Sequence, residues 1–319
     1  MQKTYKPEGY LIDTPRNIEL TSSLAGLEYA QAQGIILEAV AMLCDGRYDL
    51  HINLGEIEGI IRRSEVAYSR DGSLVKDIAV ITRVGKPVCF RVMGFENYCG
   101  KTRAILSRRA AQEECYENYL LNLIPGNIIP ARVTHLENFG AFVDIGCGIP
   151  SLLSVDCISV SRISHPSDRL ACGMNIMTVV KSVDYESGRI YVSQRELLGS
   201  WEENAALFSP GQTVAGIIRS VEHYGIFVEL TPNLAGLAEL RESGSFHCSI
   251  VPGQWAAVYI KSIIPERMKI KLVLIDTHKG SVTPSPPEYF IDTSKVRHID
   301  RWLYSPASCS RVIETVFST

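Results

Sequence analysis

Sliding the 319-residue chain against itself by 85 residues brings IPGNIIPARVTHLENFGAFVDI (124–145) over SPGQTVAGIIRSVEHYGIFVEL (209–230). The match pairs Pro125 with Pro210, Gly126 with Gly211, Phe139 with Tyr224, Gly140 with Gly225 and Phe142 with Phe227. At a slide of 80 residues it continues, where CGMNIMTVVKSVDYESGRIYVS (172–193) lies over PGQWAAVYIKSIIPERMKIKLV (252–273). One small unit must therefore fold at least twice, which excludes a single large core. A weaker third copy lies upstream, with a strand pair in GIILEAVAMLCDGRYDLHI (34–52) and a closing hairpin in VGKPVCFRVMGFENYCGKTRAILS (84–107). Its aromatic-Gly-x-aromatic signature is missing, so this copy reads as degenerate.

Each unit holds about five short strands separated by Gly, Pro, Asn or Asp turns within roughly 70 residues, a length suited to a small closed barrel. The chain is read as all-β, a tandem array of three five-stranded OB-fold barrels joined by short helical linkers. An SH3-like barrel is the alternative. The expected boundaries are an N-terminal extension (1–28), a degenerate barrel (29–108), a linker helix (109–123), a barrel (124–196), a linker helix with Trp201 (197–208), a barrel (209–276) and a Pro-rich linker with C-terminal extension (277–319). In that extension Val296, Ile299 and Leu303, then Val312, Ile313, Val316 and Phe317, fall at helical spacing, and the tail is expected to pack on the third barrel.

The ring pair poses a geometric problem, because residues three apart on a strand point to opposite faces. Gly inside a strand often marks a bulge, and a bulge at Gly140 would bring Phe139 and Phe142 onto one face. Tyr224, Gly225 and Phe227 repeat the device. A core needs one ring per such strand, so a repeated pair is read as two exposed flat surfaces, the means by which strand faces stack single-stranded bases.

Together these residues resemble the S1-type RNA-binding repeat of bacterial small-subunit ribosomal proteins. GAFVDIG, RISHPSD and VDYESGRIYVS of the second unit look like successive parts of that repeat, and Trp201 falls where such linkers carry a Trp. The resemblance implies an OB fold, single-stranded RNA (mRNA) as ligand, the small ribosomal subunit as a further partner, and no cofactor. Carried over, the RNA face of the second unit comprises Phe139, Phe142, Asp184 and Arg189, with Ser154 in place of the family's His. In the third unit Tyr224 and Phe227 match, Glu239 takes the His position, and Arg267 and Lys269 approximate the basic positions. In the first unit Arg62 and Arg63 fall near the His position and Arg103 aligns with Arg189.

Charge does not announce the partner. The chain carries net −3, with +2 over 29–108, −1 over 124–198 and zero over 208–276. The first unit is thus expected to touch phosphates without reading bases. Nine scattered cysteines (44, 89, 99, 115, 147, 157, 172, 248 and 309) form no Cys-x-x-Cys pair or zinc spacing, and read as reduced, mostly buried thiols. No leader-like apolar segment opens the chain and no run approaches the roughly 18 apolar residues of a membrane span, so a cytoplasmic protein without membrane contact is expected.

An enzyme is not expected. CGKTR (99–103) contains Gly-Lys-Thr, but Phe95 stands where a phosphate-binding loop needs Gly, and the segment leads into a strand instead of a helix. No Gly-x-Ser-x-Gly, His-Glu-x-x-His or clustered carboxylate set occurs. The favoured function is non-enzymatic binding of single-stranded RNA in translation. The alternatives are a protein-docking scaffold that has lost RNA affinity, and an accessory regulator of RNA decay or transcription.

Overall fold

The computed structural model describes residues 5–70, 72–73, 75–239, 250–278, 280 and 283–317. The chain divides into two compact units, one of 1–123 with 144–150, the other of 124–143 with 151–319.

The first unit opens with two helices, α1 (Pro15–Thr21) and α2 (Leu24–Gln33), capped by the side chains of Thr14 and Ser23. A closed barrel follows, built from β1 (Leu37–Cys44), β2 (Leu50–Leu54), β3 (Ile57–Ile61), β4 (Pro87–Tyr98) and β5 (Lys101–Ser107) in the order β1-β2-β3-β5-β4. The β3–β5 pairing is parallel and the others antiparallel, the closure of a five-stranded Greek-key OB barrel. A short helix α3 (Asp77–Ile81) lies between β3 and β4, and α4 (Arg108–Asn118) follows β5, capped by Ser107. Alternation along β2 sends Leu50, Ile52 and Leu54 inward, and they meet Leu27 of α2, Phe90 and Leu106 in one core.

A buried polar knot ties the first unit together. Glu8 takes two bonds from Arg108 (2.6 and 3.0 Å) and one from the Cys89 amide. Asp144 receives the amides of Glu8, Gly146 and Gly148, while Glu38 receives those of Gly9, Leu11 and Ile12 on one oxygen. Burial pushes the Glu38 carboxyl up to about 7, against those three amide bonds, and it also raises Asp144. For an acid raised in this way the folded state keeps a proton the unfolded chain has released. The contribution is complete below the unfolded value and is lost as pH rises through the folded one. The melting temperature of the first unit is therefore expected to fall as pH rises from about 5 to about 8, and Glu38→Gln is expected to flatten that dependence. A thermal melt monitored at α4 across that range checks it.

In the second unit, one closed barrel contains β6 (Ile128–Glu137), β7 (Gly140–Asp144), β8 (Pro150–Ser154), β9 (Asn175–Asp184) and β10 (Arg189–Ser193). A short helix α5 (Trp201–Ala205), with a capping box between Ser200 and Glu203, leads to the third barrel. That barrel consists of β11 (Thr213–Glu222), β12 (Gly225–Thr231), β13 (Leu234–Ala238), β14 (Trp255–Ile264) and β15 (Lys269–His278). The parallel pairs Leu153↔Val192 and Ala238↔Leu272 are the counterparts of Ile61↔Leu106, so all three barrels share one register.

These two barrels are joined by buried polar contacts. Glu229 of β12 receives Arg169, which follows the 3-10 turn Pro166–Asp168 before β9, and also Arg219 of β11 (Nε at 2.7 Å). Asn233, fully buried, accepts the Val160 amide at 3.0 Å and donates to the carbonyls of Arg195 and Gly199. Trp201 is buried within the third barrel's core cluster together with Trp302 and Tyr304.

The tail departs from its helical reading. From residue 283 to 317 it forms no helix; it runs irregularly through a turn at 292–296 and ends in a two-stranded hairpin of β16 (Arg301–Leu303) and β17 (Glu314–Val316). Nor does it pack on the third barrel alone. Tyr289, Ile291, Val296, Ile299 and Phe317 join Ile128, Val179 and Leu197 of the second barrel and its flank, whereas Trp302, Tyr304 and Ile313 join the third. Of the residues at helical spacing, Val296, Ile299, Ile313 and Phe317 pack on these two surfaces, whereas Leu303, Val312 and Val316 are exposed. The described cysteines are all free, as expected, but only half of them are buried. Cys89, Cys115, Cys147 and Cys157 are buried, Cys99 and Cys172 are exposed, Cys44 and Cys309 lie between, and Cys248 lies outside the described residues.

Candidate nucleic-acid interface

Phe139 and Phe142 come together, but not through a bulge at Gly140. Strand β6 ends at Glu137 and β7 starts at Gly140, so Phe139 occupies the second position of a tight turn and is released from strand alternation. The third barrel repeats this arrangement, closing its hairpin with Glu222↔Gly225 and leaving Tyr224 in the turn. Its bulge lies on the facing strand, between Ile218 and Ser220. Glycine is needed for close approach. A Cβ at Gly140 would stand 2.4 Å from the Leu153 carbonyl oxygen, and one at Gly225 would stand 2.7 Å from that of Ala238.

The two ring pairs have the same geometry. Phe139 and Phe142 are edge-to-face at 6.1 Å and 89°, Tyr224 and Phe227 at 6.2 Å and 89°. Phe139 is 55% exposed and Tyr224 52%, while Phe142 and Phe227 are half-buried behind them. Each barrel extends its pair with an imidazole from a different position. His135 stacks on Phe142 at 6.5 Å and 24°, and His223 meets Tyr224 edge-on at 4.9 Å. Neither histidine was singled out by the repeat, because one lies before the turn and the other within it.

On the second barrel, Arg189 and Asp184 face each other in the first register pair of the β9–β10 hairpin, both exposed. Asp184 binds the Ser187 hydroxyl and the amides of Glu186 and Ser187, and the Ser187 contact leads in holding its carboxyl below the usual range. It is thus a turn cap, with Arg189 as the neighbouring cation. Ser154 ends β8, its hydroxyl 4.0 Å from Cys157 Sγ. In the third barrel Glu239 and Lys269 occupy the positions of Ser154 and Arg189, and Arg267 lies one turn away in the Pro265–Arg267 segment, all exposed.

Register corrects the reading of the first barrel. His51↔Ile60 of β2–β3 corresponds to Phe227↔Leu237 of β12–β13, which places His51 at the second ring position and Tyr48 at the first. The signature is present as Tyr-Asp-x-His, hidden from sequence comparison by Asp49 in place of Gly and His in place of Phe. Tyr48 adopts φ 64° and lies half-buried beneath Arg63 at 4.9 Å. The three arginines expected to meet phosphate are all paired: Arg62 with Glu96 (3.3 Å), Arg63 with Asp77, and Arg103 with Glu96 through Nε (2.9 Å) and Nη2. Each of the three thus has an acidic partner, Arg103 nearly buried with it and Arg62 still largely exposed.

Residues 123–195, which hold the second barrel and its ring pair, match the family model described as S1 RNA binding domain, so the chain is an S1-domain protein. The chain is distantly related to bacterial small ribosomal subunit protein bS1. It is 33% identical over 180 residues to that of Staphylococcus saprophyticus, covering 53% of this chain and 46% of the relative. It is 32% identical over 182 residues to the bS1 homolog of Bacillus subtilis, covering 54% and 47%. The chain thus spans about half the length of the curated relatives it matches. Among solved structures, a multidomain protein with nucleic acid binding domains from Streptococcus pneumoniae TIGR4 aligns over 76% of this chain and 73% of its own, at 16% identity and a TM-score of 0.24. Among the described residues, no helix is long and apolar enough to cross a membrane.

Proposed function

We propose that this chain binds single-stranded RNA without chemical turnover, by stacking bases on Phe139 and Phe142 of the second barrel and on Tyr224 and Phe227 of the third. The observation that carries this reading is the recurrence of one edge-to-face ring pair at the same hairpin position in two barrels of one compact unit. Exposed Arg189, Arg267 and Lys269 supply the neighbouring positive charge, whereas Ser154 and Glu239 take the place of a stacking imidazole. Two weak sites on one unit gain through effective concentration, the second binding event becoming intramolecular. The distant similarity to ribosomal protein bS1 supports a place in translation, at mRNA and the small ribosomal subunit. Crosslinking in cells with sequencing of bound RNA, combined with ribosome-gradient fractionation, tests that context. Recovery of decay or transcription complexes free of ribosomes would assign the accessory-regulator role instead.

Salt dependence follows from the same arrangement. With few unpaired cations beside the rings, the slope of log K against log salt is expected to be shallow, about −0.7 per contact for roughly two or three contacts. Titrations across salt check this. A steep slope would transfer the binding energy from stacking to phosphate contacts.

A further inference from the structure

The first barrel contains a cleft of about 620 Å³ between Met42, strands β2–β3 and the β4–β5 hairpin, lined among others by His51, Asn53, Glu58, Tyr98 and Arg103. Resting on the single-stranded RNA reading above, we propose that this cleft takes one nucleobase and prefers a base carrying an exocyclic amine. The stacking surface is Tyr98, whose ring is 51% exposed and lies over the Arg103 guanidinium at 3.8 Å. Arg103 is itself oriented by Glu96, so the ring is supported on one side and a base stacking on its other side completes a guanidinium–ring–base sequence. His51 stands at the second ring position and is fixed by Glu58 (2.6 Å) and Asp45 (3.3 Å). Burial disfavours its charge, but the bonds and charges of those two carboxylates outweigh it and raise its pKa.

Preference arises from what surrounds the ring. A cleft wall carrying the exposed carboxylates of Glu56 and Glu58 disfavours phosphate, yet it offers acceptors to an amino group on a base edge. Cytosine has such a donor at N4, and uracil has a carbonyl there, which would face the same carboxylates without a proton between them. Glu137 also meets the second barrel's rings through His135, but in the first barrel the carboxylates and Tyr98 line one cleft, and there the proposal places the discrimination.

The test uses the full chain with Phe139, Phe142, Tyr224 and Phe227 all replaced by Ala, titrated with oligocytidine and oligouridine. The expected result is residual binding with oligocytidine at least about fivefold tighter, lost on adding Tyr98→Ala at an unchanged melting temperature. No residual binding, or equal residual binding of the two, would overturn the proposal. Ultraviolet crosslinking of oligocytidine to the unaltered chain is a second readout that needs no variant. A crosslink at Tyr98 is expected, and crosslinks confined to the second and third barrels would overturn the proposal while leaving the RNA reading intact. If the unaltered chain binds neither oligonucleotide, the RNA reading itself fails.

Discussion

Glu229→Ala is expected to destabilise the second unit by about 3–5 kcal/mol, the range for removing one partner from a buried charge network. Glu229 is 4% exposed and is the shared acceptor of Arg169 and Arg219, whose side chains are themselves only 11% and 10% exposed. Its removal leaves two largely buried guanidinium groups facing each other at the wall of a cleft, with Asp168 at 3.5 Å from Arg219 as the remaining acid. Because Arg169 belongs to the second barrel's segment and Glu229 to the third's, the loss should also loosen the junction that Asn233 helps close. Urea unfolding of wild type and variant gives the difference. A loss below about 1 kcal/mol would place the network among surface ion pairs in its energetics.

Phe139→Ala and Phe142→Ala are each expected to weaken binding of a short single-stranded RNA by about 1–3 kcal/mol. Their structural costs should differ. Phe139 projects from a turn and contributes little to the core, so its replacement should leave the melting temperature almost unchanged. Phe142 is half-buried and contacts both Phe139 and His135, so a modest decrease is expected there. Affinity and melting measured on the same preparations separate the two effects. A sharp loss of melting temperature for Phe139→Ala would make that ring a core residue.

The barrels and the ring pairs were legible because both are written locally. Alternating apolar residues between Gly and Pro turns specify strands, and an 85-residue self-match exposes the repeat. The mechanism at Gly140 was not legible, since a glycine within a strand and one that starts a strand leave the same mark; only pairing register shows that Phe139 belongs to the turn. Tyr48 and His51 escaped for a related reason: Asp49 replaces the glycine by which the eye aligns the copies. The pairing of Arg62, Arg63 and Arg103 depends on Glu96 and Asp77, separated from some of them in sequence and brought near by the barrel. The tail's spacing was legible but not its meaning, because an apolar period does not say which of its residues are buried: Val296, Ile299, Ile313 and Phe317 pack inward while Leu303, Val312 and Val316 face out.

The most direct test of base stacking follows the ring resonances themselves, in a full chain carrying isotope-labelled phenylalanine and tyrosine titrated with a short single-stranded RNA. The account predicts that the signals of Phe139, Phe142, Tyr224 and Phe227 shift upfield together as RNA binds, the ring-current effect of a base over each face. RNA binding that shifts other residues while leaving these four unchanged would contradict it.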